Sequence, residues 1–226
     1  MARQLVLELA HRPAYGREDF LVAPSNGAAV ALIDSWPAWS GPAAILSGPA
    51  GSGKTHLAEV WREKAQARRI EAAELGRADV PALVAAGALI VEDLGALSDA
   101  AERALFHLLN LTAQDGAFLL LTAREAPGRL AIRLPDLASR LKALPHAALG
   151  APDDALLSGI LVKLFDDRQL RVPEALIPYL AARIERSIAA AREVVAAIDR
   201  ASLSGKRPIT VPLAAEVLAG QGEMEL

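Results

Sequence analysis

Gly48-Pro49-Ala50-Gly51-Ser52-Gly53-Lys54-Thr55 fills every fixed position of the pattern G-x-x-x-x-G-K-[ST]. Its flanks suit it as well. Ala43-Ala44-Ile45-Leu46 before it reads as a short buried strand, and His56 to Ala67 after it reads as a helix. Glycines in such a loop let successive backbone N–H groups turn inward and cradle phosphate oxygens. Lys54 can reach β- and γ-phosphates, Thr55 can ligate Mg²⁺, and the helix start adds partial positive charge. Residues 48–55, with His56 directly after them, therefore imply a bound nucleoside diphosphate or triphosphate.

Further along, short apolar runs alternate with helical patterns up to about Gly150. The strands expected are Ala43–Leu46, a weaker one near Arg69–Ala73, Ala88–Val91, Phe118–Leu121 and Ala143–Leu149. Such an order implies an α/β fold with a five-stranded parallel sheet flanked by helices, its ligand at the carboxyl ends of the strands. After Pro152 the pattern becomes wholly helical, over Ala155–Phe165, Glu174–Ile184, Ser187–Leu203 and Leu213–Leu218. Val172-Pro173 and Gly205-Lys206-Arg207-Pro208 are the breaks. The division expected is an arm over residues 1–22, an α/β nucleotide-binding domain over 23–150 and a small all-α lid domain over 151–226. So small a helical domain buries little alone and is expected beside the nucleotide.

Composition narrows the class. The 226 residues are 53% hydrophobic, which marks a folded chain and not a disordered one. Absence of cysteine excludes disulfides and thiolate metal sites, in keeping with a reducing cytoplasm, and the four histidines show no zinc spacing. No run approaches the ~20 apolar residues a membrane helix needs, so no membrane association is expected. Glu8 and His11 interrupt the first segment, which does not read as a signal peptide. A formal net charge of −3 gives no overall attraction to DNA, so contact with it would be indirect or through a local patch.

Three further signals follow the loop. Ala88-Leu89-Ile90-Val91-Glu92-Asp93 is a strand ending in two carboxylates, the arrangement that a Mg²⁺–nucleotide site uses to hold the metal's water shell and orient attacking water. The other reading is that these acids cap the next helix. Phe118-Leu119-Leu120-Leu121 ends in Thr122, either an ordinary strand-end threonine or a contact to the γ-phosphate or lytic water. Arg140, in Asp136-Leu137-Ala138-Ser139-Arg140-Leu141, is either a surface arginine or a guanidinium presented in trans to a neighbour's nucleotide.

Together these residues resemble the AAA+ core of the replication initiator DnaA, and more closely the Hda family of short DnaA-related regulators. The resemblance spans nearly the whole chain. Gly53-Lys54-Thr55-His56-Leu57 is similar to the initiator form of the loop. Phe20-Leu21-Val22 with Pro24-Ser25-Asn26 resembles the segment beside the adenine, which implies Phe20 and Val22 as base contacts. Ser139-Arg140-Leu141 falls on the arginine-finger motif. Asp167-Arg168-Gln169-Leu170-Arg171-Val172-Pro173 resembles a lid loop, and Asp199-Arg200-Ala201-Ser202 the end of the long lid helix. Gln4-Leu5-Val6-Leu7-Glu8-Leu9 is similar to the motif docking this family on the DNA polymerase III β sliding clamp, with Gln4, Leu5, Leu7 and Leu9 in contact. The same alternation also suits a plain first strand.

What the resemblance implies is a regulator that holds ADP or ATP with Mg²⁺ near Thr55, Glu92 and Asp93. Docked on the clamp, and with homo-oligomers possible, it would stimulate hydrolysis of ATP bound to DnaA. The chain stops at Leu226, leaving no room for DnaA's DNA-binding domain. Two features depart from the family. The acids run Glu92 then Asp93, where AAA+ enzymes usually carry Asp then Glu. The lid's sensor 2 arginine falls at Ala189, with Arg186 and Arg192 about one turn to either side; Arg192 is carried forward as a candidate nucleotide contact. The competing expectation is an autonomous ATPase, a helicase loader or transposition helper. A third is an adaptor tethering some other protein to the clamp.

Overall fold

Every apolar run expected to be a strand is one, and all run parallel. β1 (Ala43–Ser47), β2 (Arg68–Glu71), β3 (Ala88–Glu92), β4 (Phe118–Ala123) and β5 (His146–Ala148) form one sheet in the order β2-β3-β4-β1-β5. The computed structural model describes residues 21–222, and the clamp-motif residues Gln4, Leu5, Leu7 and Leu9, like Phe20, lie outside them. The chain falls into two units that meet between Ala151 and Pro152.

In the first unit, α1 (Gly27–Asp34), α2 (Lys54–Ala65), α3 (Val80–Val84), α4 (Asp99–Asp115) and α5 (Pro135–Ala143) cover the sheet. Alternation along the strands sorts them into two layers. Ala43, Ile45, Leu89, Val91, Leu119 and Leu121 face α3, α4 and α5. Ala44, Leu46, Ala88, Ile90 and Leu120 face α1 and α2. Both faces are apolar because helices cover both, so the strands show unbroken hydrophobic runs. On the α2 side, Trp36, Trp39 and Trp61 gather around Phe118 at the start of β4, with Trp39 stacked on Trp61 at 5.4 Å.

Among the boundaries that differ from the sequence reading, three have a local cause. The helix after the loop begins at Lys54, ahead of His56, because Gly53 takes a left-handed φ of 100° and makes the turn itself. β2 stops at Glu71, since buried Ala72 and Leu75 turn the chain into a short 3₁₀ segment. Ala143 ends α5 and does not open β5, which keeps only three residues.

One carboxylate sets the entry to α5. Glu102 on α4 is 2% exposed and accepts the backbone N–H groups of Arg133 (3.0 Å) and Leu134 (2.8 Å) immediately before that helix. Arg133 Nε stands 3.8 Å from the same carboxylate. These groups would otherwise be orphan donors at a helix start, and they fix where α5 and Arg140 lie.

The second unit contains α6 (Asp154–Asp166), α7 (Leu176–Ala181), α8 (Ile188–Gly205) and α9 (Val211–Gly222). Leu157, Leu161, Phe165, Leu176, Leu180, Val194, Val195 and Ile198 form its core. Asp153 and Ser187 cap α6 and α8, each accepting a backbone N–H three residues on. The Ser187 cap corrects one expectation. Arg186 precedes the helix, so it does not share a face with residue 189, and its guanidinium is paired with Asp154 at 2.8 Å. Arg192 lies on α8, half-buried. No helix among the described residues is long and apolar enough to cross a membrane.

Glu102→Ala removes one carboxylate from two buried N–H groups and a guanidinium. It should destabilise the protein by about 2–4 kcal/mol, measured by urea unfolding, whereas Glu102→Gln should cost less by keeping one acceptor.

Candidate functional site

The parallel sheet brings every strand's carboxyl end to one edge, and there the loop of residues 48–53 leaves β1. Gly48 donates its N–H to the Ala123 carbonyl at the end of β4 (3.1 Å), while Leu149 donates to the Ser47 carbonyl (2.7 Å). The loop therefore starts pinned between two neighbouring strands. A Cβ at residue 48 would stand 2.3 Å from the Leu149 carbonyl oxygen, so the backbones approach as closely as glycine allows. Ser52 Oγ is buried without a hydrogen-bond partner, as is Ser25 Oγ.

Lys54 folds back over the loop and donates to the carbonyls of Gly48 (2.7 Å) and Pro49 (2.8 Å). Burial holds its ammonium below the usual lysine range; Asp93 and, more weakly, Glu92 oppose that shift, while Arg124 reinforces it. Thr55 follows on the exposed first turn of α2, and His56 is buried behind it. An orphaned buried hydroxyl, a glycine cradle and a lysine resting on carbonyls it can exchange for phosphate form a fitting donor set for phosphate. Among the described residues no three His, Cys, Asp or Glu side chains gather into a metal site.

The two acids part company. Strand alternation carries Glu92 to the α2 face beside Ile90, where it is 8% exposed and 3.7 Å from Arg69. Burial raises its carboxyl above the usual range. Arg69 opposes that shift, and Glu71, Glu59 and Asp93 add to it. Asp93 sits just past the strand with a φ of 55° and pairs with Arg124 at 3.2 Å. Its N–H donates to Thr122 Oγ1 at 3.0 Å, so buried Thr122 holds the residue beside Lys54 in place. Neither acid caps the following helix: Ser98 does so, accepting the Ala101 N–H.

Leu21 and Val22 are exposed, and the Asn26 side chain ties their segment by bonds to the Ala23 N–H and the Leu21 carbonyl, both 2.8 Å. Gly150, two residues beyond β5, donates to the Ser25 carbonyl at 2.8 Å. Ser25, three residues after Val22, thus stands near the same sheet edge as the loop. Arg140 does not: α5 packs on the face opposite α2. Its guanidinium is exposed and rests on the Phe106 ring, 4.9 Å from the centroid.

Arg124 was missed in the sequence. It lies two residues after Thr122 at the carboxyl end of a parallel strand, a position that could have drawn notice, but no motif marks it.

Glu92→Gln should raise the melting temperature by about 2–4 °C at pH 7. A carboxyl whose folded pKa lies above its unfolded value favours folding below the ordinary carboxylate range and loses that contribution as pH rises through the folded value. Thermal melts from pH 4 to 8 should therefore show the variant's advantage shrinking toward acid.

Residues 157–218 match the family model described as the Hda lid domain. An uncharacterised protein of Haemophilus influenzae is 26% identical over 193 residues, 78% of this chain and 81% of its own length. Domain III of the Thermotoga maritima replication initiation protein DnaA superposes with a TM-score of 0.78 at 18% identity, covering 92% of this chain and 97% of that one. AMPPCP-bound DnaA from Aquifex aeolicus superposes at 0.70 and 18% identity, over 84% of this chain and 66% of that one. The RuvB Holliday junction branch migration motor of T. maritima reaches 0.66 at 18% identity, over 85% and 66%. Residues 157–218 thus match an Hda-type lid, and the fold of the chain is that of the DnaA core domain.

Proposed function

We propose that this protein is an Hda-type AAA+ regulator of replication initiation that holds a nucleotide and promotes hydrolysis of ATP bound to DnaA. ADP or ATP would lie in the Gly48–Thr55 cradle, with its phosphates on the loop N–H groups and Lys54. Thr55, with Glu92 or Asp93 through water, would hold Mg²⁺, which supplies positive charge to the phosphates. Glu92 turned toward Arg69 on the α2 face and Asp93 engaged with Arg124 suit holding a nucleotide better than turning it over rapidly.

The observation that carries this reading is the placement of Arg140. It lies on the sheet face opposite the helix that follows its own loop, exposed and steadied on Phe106. A guanidinium so placed can serve a neighbour's nucleotide and not its own. Supplied in trans, it would stabilise charge on the transferring phosphoryl group. The Gln4–Leu9 segment would dock on the sliding clamp, delivering Arg140 to DnaA at DNA in the cytoplasm.

ADP production is followed after adding the protein, loaded clamp and DNA to ATP-bound DnaA. Wild type should accelerate it, and Arg140→Ala should leave DnaA at its own slow rate. An Arg140→Ala protein that stimulates as well as wild type would sink the finger assignment. Substantial turnover by the isolated protein, abolished by Lys54→Ala, would favour the autonomous ATPase.

A further inference from the structure

We propose that two copies of this protein join through the outer flanks of their β2 strands, antiparallel about a two-fold axis that passes Ile70. The contact is independent of the nucleotide site and of Arg140.

β2 ends the sheet. It pairs with β3 on one side, and among the described residues no strand pairs with the other. Arg68-Arg69-Ile70-Glu71 thus turns alternate backbone N–H and C=O groups outward, and such a flank is a template for another strand. Room for one exists. A groove of about 860 Å³ follows it, walled by Thr55, Glu59 and Arg62 of α2 on one face and by Glu74 and Leu83 on the other.

Geometry restricts the register. Opposed side chains in an antiparallel pair share a face of the sheet, and faces alternate along the strand. Identical strands related by a two-fold must therefore place one residue on the axis, opposite its own copy. Arg68 or Arg69 there sets two guanidinium groups against each other, and Glu71 sets two carboxylates. Like charges so placed are destabilising. Ile70 on the axis meets an identical apolar side chain. Arg69 of each copy then stands opposite Glu71 of the other, both exposed and both on the α2 face, where they align with Ile90 and Glu92.

Mixed charge selects this occupant. On the α2 wall Glu59 and Arg62 form an ion pair at 2.6 Å, and Arg69 gives up little, its contact with Glu92 being 3.7 Å. An acidic peptide or a nucleic-acid backbone would meet Glu59, Glu71 and Glu74 along the same groove. A second copy of the strand instead meets the opposite sign at Arg69 and at Glu71.

Light scattering on the full chain over a range of concentrations should show a monomer–dimer equilibrium. Arg69→Glu opposes like charges twice and should weaken the dimer about tenfold. Arg69→Glu combined with Glu71→Arg exchanges the two signs and should restore it. Both variants should melt as wild type does, since the two positions are exposed. The chain has no cysteine, so Ile70→Cys, whose paired Cα atoms on the axis lie within disulfide range, should give a covalent dimer under mild oxidant. Arg68→Cys, displaced from the axis, should not. A chain that stays monomeric at every concentration would overturn the proposal and leave the charges of β2 as guards against pairing. So would a dimer that the exchange of charges fails to restore, that Ile70→Cys fails to bridge, or that Arg140→Ala abolishes.

Discussion

The Leu149 carbonyl oxygen occupies the space where a side chain at residue 48 would begin, 2.3 Å from a Cβ there. Such proximity follows from β1 lying between β4 and β5, with both neighbours bonded to its last residues. Because the strands are parallel, the same edge collects the loop, the acids after β3, Thr122 and Arg124 after β4, and Gly150 after β5. Any side chain at residue 48 would push β5 away or move the loop, and each later contact at this edge depends on neither happening.

Electrostatics then divide the edge into two compartments. Glu92 lies inside, on the α2 face, where burial disfavours its charge. Asp93 lies outside in a left-handed turn, charged partner at hand. Adjacent in sequence, the two carboxylates meet different surroundings because strand alternation carries one to the sheet face and the turn carries the other past its end. The reversed order of these acids thus has a spatial meaning: the longer side chain is the buried one.

Both faces of the sheet contribute, and to different ends. The α2 face holds the loop's own chemistry. The opposite face, through buried Glu102 and partly buried Phe106 on α4, positions α5 and Arg140. Separate helices can be tuned separately, since a change to Glu102 or Phe106 touches no residue of the phosphate loop.

By itself the sequence determined the local patterns: the glycine spacing of residues 48–53, the apolar runs that became five strands, the helical periodicity after Pro152 and the candidates Glu92, Asp93, Thr122 and Arg140. Each depends on near neighbours in the chain, as does backbone conformation at a glycine or the period of a buried face. Tertiary structure alone decided the pairings: Asp93 with Arg124, Glu102 with the start of α5, Arg140 with Phe106, and Arg186 with Asp154. These partners lie about 30 residues apart, and no spacing rule links them. Only packing of the strands and helices brings such groups within bonding distance, which is why no motif marked Arg124 and why Arg186, expected one turn from residue 189, lies outside the helix that Ser187 caps.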